Sequence, residues 1–323
     1  MPLLEENHIL GFDEIEVSQK DAKCQLAEKW LEKTATDSEL QVNENDTQIH
    51  IKGREFAYTI DRRTALFTEM KFAGREYLNH PMELNIWRAP TDNDMYIKAE
   101  WKKAHYDKAY TRAYTTEVVQ GKHGVKIVSH ASVVAETVQK ILDVTITWKI
   151  DASGKIDADI EATKDGEFPD LPRFGVRMFL DKKLSDARYF GMGPQESYRD
   201  KHQAASHGLY RANVRDLHED YIRPQENGSH YDCGYVELNN SRYGIVASAE
   251  KAFSFNASYY TQEELEKKTH NYELIESDSV VFCVDYALNG IGSNSCGPVV
   301  LEQYRFDDVL FRFQFTLIPY VKG

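Results

Sequence analysis

The chain has 323 residues, 41% of them hydrophobic and 28% charged, a composition typical of a globular protein and not of a disordered one. With 39 basic and 52 acidic residues its formal net charge is −13, which argues against a nucleic-acid-binding protein. The apolar runs fall far short of the ~20 residues of a membrane helix. The first ten residues carry two glutamates and no basic stretch, so we expect neither a membrane span nor a signal peptide.

The first predicted element is a strand within residues 8–18, where Phe12, Ile15 and Val17 stand among acidic residues. A polar stretch ending in the loop-like residues 36–48 separates it from the strands that follow. Because the backbone donors and acceptors of an isolated strand need partners, two interpretations stay open. The segment is either an edge strand of the chain's own sheet or a strand that pairs with another polypeptide.

Beyond residue 40, alternation of apolar and polar side chains dominates. Residues 142–150 alternate, and 156–160 alternate again after the turn-forming segment 151–154, which predicts a hairpin with one buried face. Residues 174–180 also alternate, whereas 279–288 are almost continuously apolar and predict a strand buried on both faces. We therefore predict an all-β protein, a large antiparallel sandwich.

Helical patterns are few and short. Residues 97–106 place Trp101 and His105 four positions apart, on one face of a helix. Residues 262–268 follow Thr261, which has the spacing of a capping box with Glu264. We expect these helices to lie at the edges of the sheets.

Residues that could carry chemistry concentrate in loops rich in glycine, proline and polar side chains. These loops are 85–94, 189–201, 221–230 and 288–298. Glu196 and Glu226 are loop carboxylates that could form the acid pair of a glycosidase. The alternative, which we favour, is that each accepts backbone hydrogen bonds and holds its own turn.

Other reactive side chains have weaker support. The four cysteines form no CxxC pair, which favours reduced cytoplasmic thiols over a zinc site or a disulfide scaffold. Cys296 lies in a turn-rich loop without histidine, so a small packing residue is favoured over a nucleophile. Asp92, Asn93 and Asp94 could hold a hard cation, but such a triplet more often caps a following helix.

Five segments of the chain resemble, in order, those of a known family. They are WRAPTDND at 87–94, FGMGPQESYRD at 190–200, RPQENG at 223–228, FSFNASY at 253–259 with its continuation to Leu274, and LNGIGSNSCGP at 288–298. The chain is similar to the small subunit of the two-chain β-galactosidases of lactic acid bacteria. That subunit corresponds to the C-terminal β-sandwich domain of the longer glycoside hydrolase family 2 β-galactosidases. Ser197 departs from the pattern, which usually has asparagine there.

The resemblance implies a large supersandwich of the galactose mutarotase type, here residues 21–323. It also implies that residues 1–20 supply the last strand of an immunoglobulin-like domain of the large subunit. In the family the catalytic glutamates lie in another domain, so none is expected on this chain. The chain itself is expected to hold no cofactor or metal, with magnesium, and sodium as a second candidate, on the large subunit.

The resemblance further implies a role at the mouth of the substrate pocket. The expected rim residues are Asp94, Met95, Tyr96, Ser293, Asn294 and Cys296. Some members place a tryptophan under the sugar at the position of Cys296, and a thiol cannot replace that ring. The motif residues expected to shape the loops are Trp87, Arg88, Asp92, Asn93, Gly193, Glu196, Glu226 and Asn227.

The function implied is that of a complementing subunit in a cytoplasmic hetero-oligomer. With its large subunit it would hydrolyse terminal β-D-galactosides such as lactose with retention, while the isolated chain would be inactive. Two other classes stay open: a non-catalytic carbohydrate-binding module, and a stand-alone mutarotase-like enzyme using Glu196, Glu226, His202 or His270. Nucleic acid and membranes are not expected partners.

Overall fold

Strands make up most of the regular structure. The computed structural model describes residues 11–15, 40–138, 140–292 and 294–322. Their strands are β1 Gln41–Glu44, β2 Gln48–Lys52, β3 Phe56–Asp61, β4 Leu66–Phe72, β5 Arg75–Glu76, β6 Leu78–Asn85, β7 Tyr110–Gln120, β8 Gly124–Val134, β9 Leu142–Asp151, β10 Ile156–Lys164, β11 Arg173–Asp181, β12 Asp186–Gly193, β13 Ser206–Asn213, β14 Ser229–Asn239, β15 Tyr243–Ser258, β16 Ser279–Leu288 and β17 Leu310–Val321. The prediction of an all-β fold is confirmed.

The described strands form two antiparallel sheets. A five-stranded sheet runs β1-β2-β3-β4-β5, and a twelve-stranded sheet runs β13-β12-β14-β15-β17-β10-β9-β8-β7. In the larger sheet β15 also pairs with β16, which pairs with β11, which pairs with β6. Side chains of both sheets share one hydrophobic core. The Trp148 indole on β9 donates to the carbonyl of Ala65 at 2.8 Å, which joins the two sheets directly.

The predicted hairpin is the β9–β10 pair, with Ile150 opposite Ile156. Ile146, Trp148 and Ile150 are at most 1% exposed, while the intervening positions are half-buried or exposed. A strand with one covered face needs apolar side chains at every second position, as the sequence indicates.

Strands β11 and β16 are buried on both faces. For β16 this confirms the prediction from its continuous apolar run. The apolar residues that alternate over 174–180 account for one face of β11, but both faces are covered, since eight of its nine residues are buried. The strand lies between β6 and β16, and at Gly175 a Cβ would stand 2.3 Å from the Val284 carbonyl oxygen.

Two α-helices occur in the described part of the chain, α1 at Ile97–Lys103 and α2 at Gln262–Lys267. Both were predicted. Trp101 anchors α1, since its ring is fully buried and its indole nitrogen donates to Asp170 O at 2.8 Å. Thr261 caps α2 by accepting from the Glu264 amide at 3.1 Å.

Short 3₁₀ turns complete the connections. They are Asp92–Asp94, Tyr106–Lys108, Val214–Leu217, Asn271–Glu273 and Glu302–Tyr304. No helix of the described residues combines the length and the apolar composition needed to cross a membrane.

The predicted N-terminal strand is only partly covered by the described residues. Residues 11–15 form no strand, and the remainder of 8–18, including Val17, lies outside the described residues. Phe12 and Ile15 are 55% and 80% exposed. The Glu14 carboxylate accepts from the His207 amide on β13 at 3.1 Å. The division into a donated strand at 1–20 and a sandwich at 21–323 stays a prediction.

Candidate functional site

The four polar loops meet around one buried ion pair. Arg88 is fully buried, and its guanidinium contacts the Asp94 carboxylate at two points, 2.7 and 3.1 Å. Asp94 also accepts from the Thr91 amide at 2.9 Å, which closes the turn Asp92–Asp94. Paired, hydrogen-bonded charges are the form in which burial of ions is tolerated.

The triplet Asp92–Asp94 does not cap α1. The N-cap position of that helix is Tyr96, and the Asp94 carboxylate is occupied by Arg88 and its own turn. The capping interpretation is therefore wrong for α1, because Asp94 turns inward to neutralise Arg88. No group of three or more side chains suited to a metal ion occurs among the described residues.

The loop 288–298 is held from one side by this first loop. The Arg88 guanidinium donates to the carbonyls of Asn289 and Gly290, the second at 3.1 Å. The Asn93 side-chain amide donates to the Ile291 carbonyl at 2.6 Å. Three successive carbonyl groups of the late loop thus have partners from WRAPTDND.

Asp200 holds the same loop from the other side. Its carboxylate accepts from the backbone amides of Ile291 at 3.0 Å and Gly292 at 2.8 Å. A Cβ at Gly290 would lie 2.7 Å from the Asp200 carboxylate, so this approach requires glycine. Backbone donors on a carboxylate form strong hydrogen bonds and fix the loop's course.

The loop 221–230 docks on the first loop through its main chain and an amide side chain. The Glu226 amide donates to Ala89 O at 3.0 Å. Gln225 accepts from the Asp92 amide at 3.0 Å and donates to the Asp92 carboxylate at 3.2 Å. Asn227 ties this loop to the preceding segment by accepting from the Glu219 amide at 3.0 Å.

Glu226 lies at a buried charge centre. Its carboxylate contacts Arg173 at 3.3 Å, and Arg173 makes a second, two-point pair with Asp285 at 2.5 and 3.2 Å. All three side chains are at most 2% exposed. Burial raises the pKa of Glu226, and the nearby Arg173 and Arg88 oppose that shift. The turn-holding role favoured for the Glu226 side chain is thus wrong: its partner is an arginine.

Glu196 connects the loop 189–201 to the loop 221–230. Its carboxylate accepts from the Gly228 amide at 2.8 Å, and its other oxygen contacts Lys201 and the Tyr221 hydroxyl. Glu196 thus accepts a backbone hydrogen bond, as expected, but the donor lies in the loop 221–230 and not in its own turn. Gly193, at the start of the same loop, is buried, and a Cβ there would stand 2.4 Å from the Tyr189 hydroxyl.

The expected rim residues divide between surface and interior. Met95 and Tyr96 are 44% and 62% exposed, and Cys296 is exposed with a free thiol. The packing role favoured for Cys296 is wrong, since its side chain is exposed in the part of the chain that the structure describes. Asn294 is half-buried and Asp94 is buried, whereas Ser293 lies outside the described residues. Their contact with a substrate stays a prediction.

Three residues that organise these loops were not selected from the sequence. Arg173 and Asp285 are charged residues at or inside the apolar strands β11 and β16. Asp200 lies within a recognised motif and was not assigned a role. A charge inside a continuous apolar run was the available signal, because a buried charge needs a partner from another element.

Comparison with known proteins identifies the family to which these loops belong. Residues 52–317 match the family model described as beta galactosidase small chain. The chain belongs to the β-galactosidase small-chain family. The matched residues include all four loops of the site.

Relatives of this small chain are longer proteins. The β-galactosidase of Actinobacillus pleuropneumoniae is 42% identical over 316 residues, which are 98% of this chain and 30% of that protein. The β-galactosidase of Staphylococcus xylosus is 32% identical over 313 residues, 97% of this chain and 31% of that protein. The chain thus spans about 30% of the length of the curated relatives it matches.

A solved structure with a similar outline is the galactose 1-epimerase of Lactobacillus acidophilus. It is 9% identical, with a TM-score of 0.45 covering 90% of this chain and 100% of the other. A similarity of this degree adds nothing to the functional argument.

Proposed function

We propose that this chain is the small subunit of a two-chain β-galactosidase of glycoside hydrolase family 2. With a large subunit it would hydrolyse terminal, non-reducing β-D-galactosides such as lactose with retention. The catalytic glutamates would lie on the large subunit, and this chain would shape the rim of the pocket and stabilise the assembly.

The observation that carries the proposal is the alignment with the Actinobacillus pleuropneumoniae β-galactosidase. Nearly the whole of this chain, 98%, matches 30% of that protein at 42% identity. A polypeptide equivalent to one part of a longer enzyme would need the remaining part for the same activity.

The contacts of the two loop carboxylates support the proposal that the catalytic glutamates lie on the large subunit. A retaining glycosidase needs one carboxylate free to attack the sugar and another to transfer a proton. Glu226 is sealed beside Arg173, and Glu196 is engaged by Gly228, Lys201 and Tyr221. Neither presents a free oxygen to solvent in an arrangement suited to attack.

The exposure of the N-terminal segment favours the presence of a partner chain. The apolar side chains of Phe12 and Ile15 are 55% and 80% exposed to solvent. Covering such side chains is favourable by about 1.5–3 kcal/mol each. We place them against the large subunit, as the last strand of its immunoglobulin-like domain, in a heterodimer or larger hetero-oligomer.

We further place the assembly in the cytoplasm and its magnesium, or sodium, on the large subunit. The described cysteines Cys283 and Cys296 are free thiols, as suits a reducing compartment. The described part of this chain offers no cluster of metal-ligating side chains.

Complementation tests the proposal. The chain would be assayed on nitrophenyl β-galactoside and lactose alone, with the large chain encoded beside it, and with the A. pleuropneumoniae enzyme lacking its matched segment. We expect no hydrolysis by the separate chains and restored hydrolysis in the mixtures. The matched control is the chain carrying Glu302→Gln, at an exposed position, which should restore hydrolysis as the parent chain does.

Two outcomes would overturn the proposal. Hydrolysis by this chain alone would place the catalytic pair on it, with Glu196 and Glu226 as the leading candidates. Mixtures without hydrolysis at any ratio of the chains would exclude a complementing subunit. In that case, anomerisation of galactose by the isolated chain would indicate the mutarotase-like alternative.

A further inference from the structure

A recess opens in the large sheet where β15 runs between β14 and β16. It lies beside the loop cluster, since its lining residues include Tyr198 and Arg199 of the loop 189–201 and Leu288 at the start of the late loop. Its volume is about 230 Å³. Because this is less than the range of about 300–1,000 Å³ that is usual for ligand pockets, only a small molecule fits.

Two β-bulges shape this recess. On β14, residues 230–233 stand opposite residues 253–255 of β15, which leaves one extra residue beside Asp232, whose φ is 51°. On β16, Tyr286 is the extra residue, because its two neighbours pair with consecutive residues of β11. Ser254 of β15 lies between the two bulges. Bulges redirect side chains and are frequent beside functional sites, so this position has the backbone of a binding site.

Three hydroxyl groups at the recess have no partner in the described chain. They belong to Tyr231, Ser254 and Tyr286, which all line the recess. None of the three oxygens is sealed from solvent, since the buried side-chain oxygens that lack a partner among the described residues are those of Thr91 and Ser229. The side chain of Ser254 is only 6% exposed, so its hydroxyl reaches solvent at the bottom of the recess.

Charged groups of both signs surround these hydroxyls. Arg199 donates to a backbone carbonyl at 2.8 Å, and it makes no ion pair in the described part of the chain. Asp308 is exposed and has no ion pair among the same residues, whereas Asp232 contacts His207 at 2.6 Å. Burial and Asp308 raise the pKa of Tyr286, and Arg199 opposes that shift, so both charges act on its hydroxyl. One cation and one anion together favour a neutral ligand.

A molecule with several neighbouring hydroxyl groups matches this arrangement. A hydroxyl oxygen accepts from a guanidinium N–H, and its hydrogen can be donated to a carboxylate or to another hydroxyl. An anion would also take the donors of Arg199, but it would meet the carboxylate of Asp308. A ring that carries its hydroxyls in fixed positions would replace the water at these groups with little loss of its own conformational freedom.

We propose that this recess binds one monosaccharide ring, whose hydroxyls accept from Arg199 and donate to Asp308. The hydroxyls of Tyr231, Ser254 and Tyr286 complete its hydrogen bonds. The inference does not depend on the proposed function, because every group that it uses lies on this chain.

The side-chain Nε–H resonance of Arg199 tests the proposal in the ¹⁵N-labelled full chain. D-galactose and D-glucose would be titrated, with inorganic phosphate as the anionic comparison. The signal is assigned by its loss in Arg199→Lys. We expect it to shift saturably on addition of either sugar, and to stay in place on addition of phosphate.

Tyr286→Phe provides the matched variant. It removes the hydroxyl but keeps the ring, which stacks on Phe311 with a centroid distance of 5.1 Å. The dissociation constant for the sugar should therefore rise about tenfold. Ser254→Ala removes a second hydroxyl without a partner in the described chain and should have a similar effect. Tyr272→Phe, the same change at a position that is 79% exposed and outside the recess, should leave the dissociation constant unchanged.

The proposal is overturned if neither sugar shifts the Arg199 signal of a chain that unfolds cooperatively on heating. A shift with phosphate and none with sugar would show that the recess is an anion site. Equal sugar affinities of the parent chain, Tyr286→Phe and Ser254→Ala would place the sugar outside the recess.

Discussion

Arg88 and Asp94, six residues apart in the chain, form a buried ion pair with two hydrogen bonds of 2.7 and 3.1 Å. The same guanidinium donates to the carbonyls of Asn289 and Gly290, about two hundred residues later in the chain. One side chain therefore closes its own loop and fixes a second, so the two loops that carry the expected rim residues are held together.

Removing one member of this pair should destabilise the chain strongly. Asp94→Asn leaves the Arg88 charge buried and unpaired, at a cost of about 3–5 kcal/mol in the free energy of unfolding. Urea denaturation measures the change. Asp159→Asn, which breaks the more exposed pair with Arg312, should cost less than about 1 kcal/mol. Equal losses in the free energy of unfolding for the two variants would show that the buried pair contributes no more to stability than the exposed pair.

The Asp200 carboxylate should control the position of the late loop. Asp200→Asn weakens the acceptor of the Ile291 and Gly292 amides, so hydrogen exchange at these two amides should accelerate about tenfold. In the proposed two-chain enzyme we expect KM to rise several-fold, with a smaller change in kcat, because Asp200 would position a loop that is expected at the rim. Glu302→Gln, at an exposed position, is the control. A fall in kcat at unchanged KM would contradict a positioning role.

Thiol reactivity should separate the described cysteines. Burial raises the pKa of Cys283 to about 12, and Cys233 is also buried, whereas Cys296 is exposed. A thiol reagent at pH 8 should therefore label Cys296 on the native chain and leave the other two unmodified until unfolding. Peptide mass spectrometry identifies the sites. Cys296→Ala should retain most of the turnover of the proposed two-chain enzyme. A collapse of turnover would contradict the prediction that Cys296 takes no part in the chemistry.

Acid should destabilise the chain through His230. Burial lowers the pKa of His230 to about 4, below the ordinary histidine value near 6.5. Its Nδ1 donates to Met192 O at 3.2 Å, and its Nε2 is buried without a partner among the described residues. A proton on Nε2 would therefore be an unsatisfied buried charge.

The direction of this pH effect on stability follows from proton uptake by the unfolded chain. Above about pH 6.5 both states hold neutral His230, and between about pH 6.5 and 4 only the unfolded state takes up the proton. The free energy of unfolding should thus fall by about 2 kcal/mol from pH 7 to pH 5 on account of this residue. His230→Gln should remove that part of the slope. An unchanged slope, or an NMR titration of the His230 ring near pH 6.5, would contradict the prediction.

The N-terminal segment should contribute to assembly. Deleting residues 1–18 removes Phe12 and Ile15, and each is worth about 1.5–3 kcal/mol if buried by a partner. The dissociation constant for the proposed large subunit should therefore rise at least tenfold, as measured by calorimetry. Phe12→Ser with Ile15→Ser is the milder variant and should show part of the effect. Unchanged association of the truncated chain would place the interface elsewhere.

The local pattern of apolar and polar residues was sufficient to predict some of the elements. The β9–β10 hairpin, the buried strand β16 and helix α2 with its Thr261 cap were all predicted, because each depends on neighbours a few residues away. β11 differed, because burial of its second face depends on the strands and layers around it.

The sequence alone determined the fold class, the loops that matter and, through five ordered motifs, the family. It did not determine what the charged residues of those motifs contact. These charged residues join segments that are far apart in the chain. Arg88 contacts Asn289, Asp200 contacts Ile291, and Arg173 contacts both Glu226 and Asp285. Only the tertiary structure decides such pairs, because a buried charge takes whichever partner the fold brings within hydrogen-bonding distance.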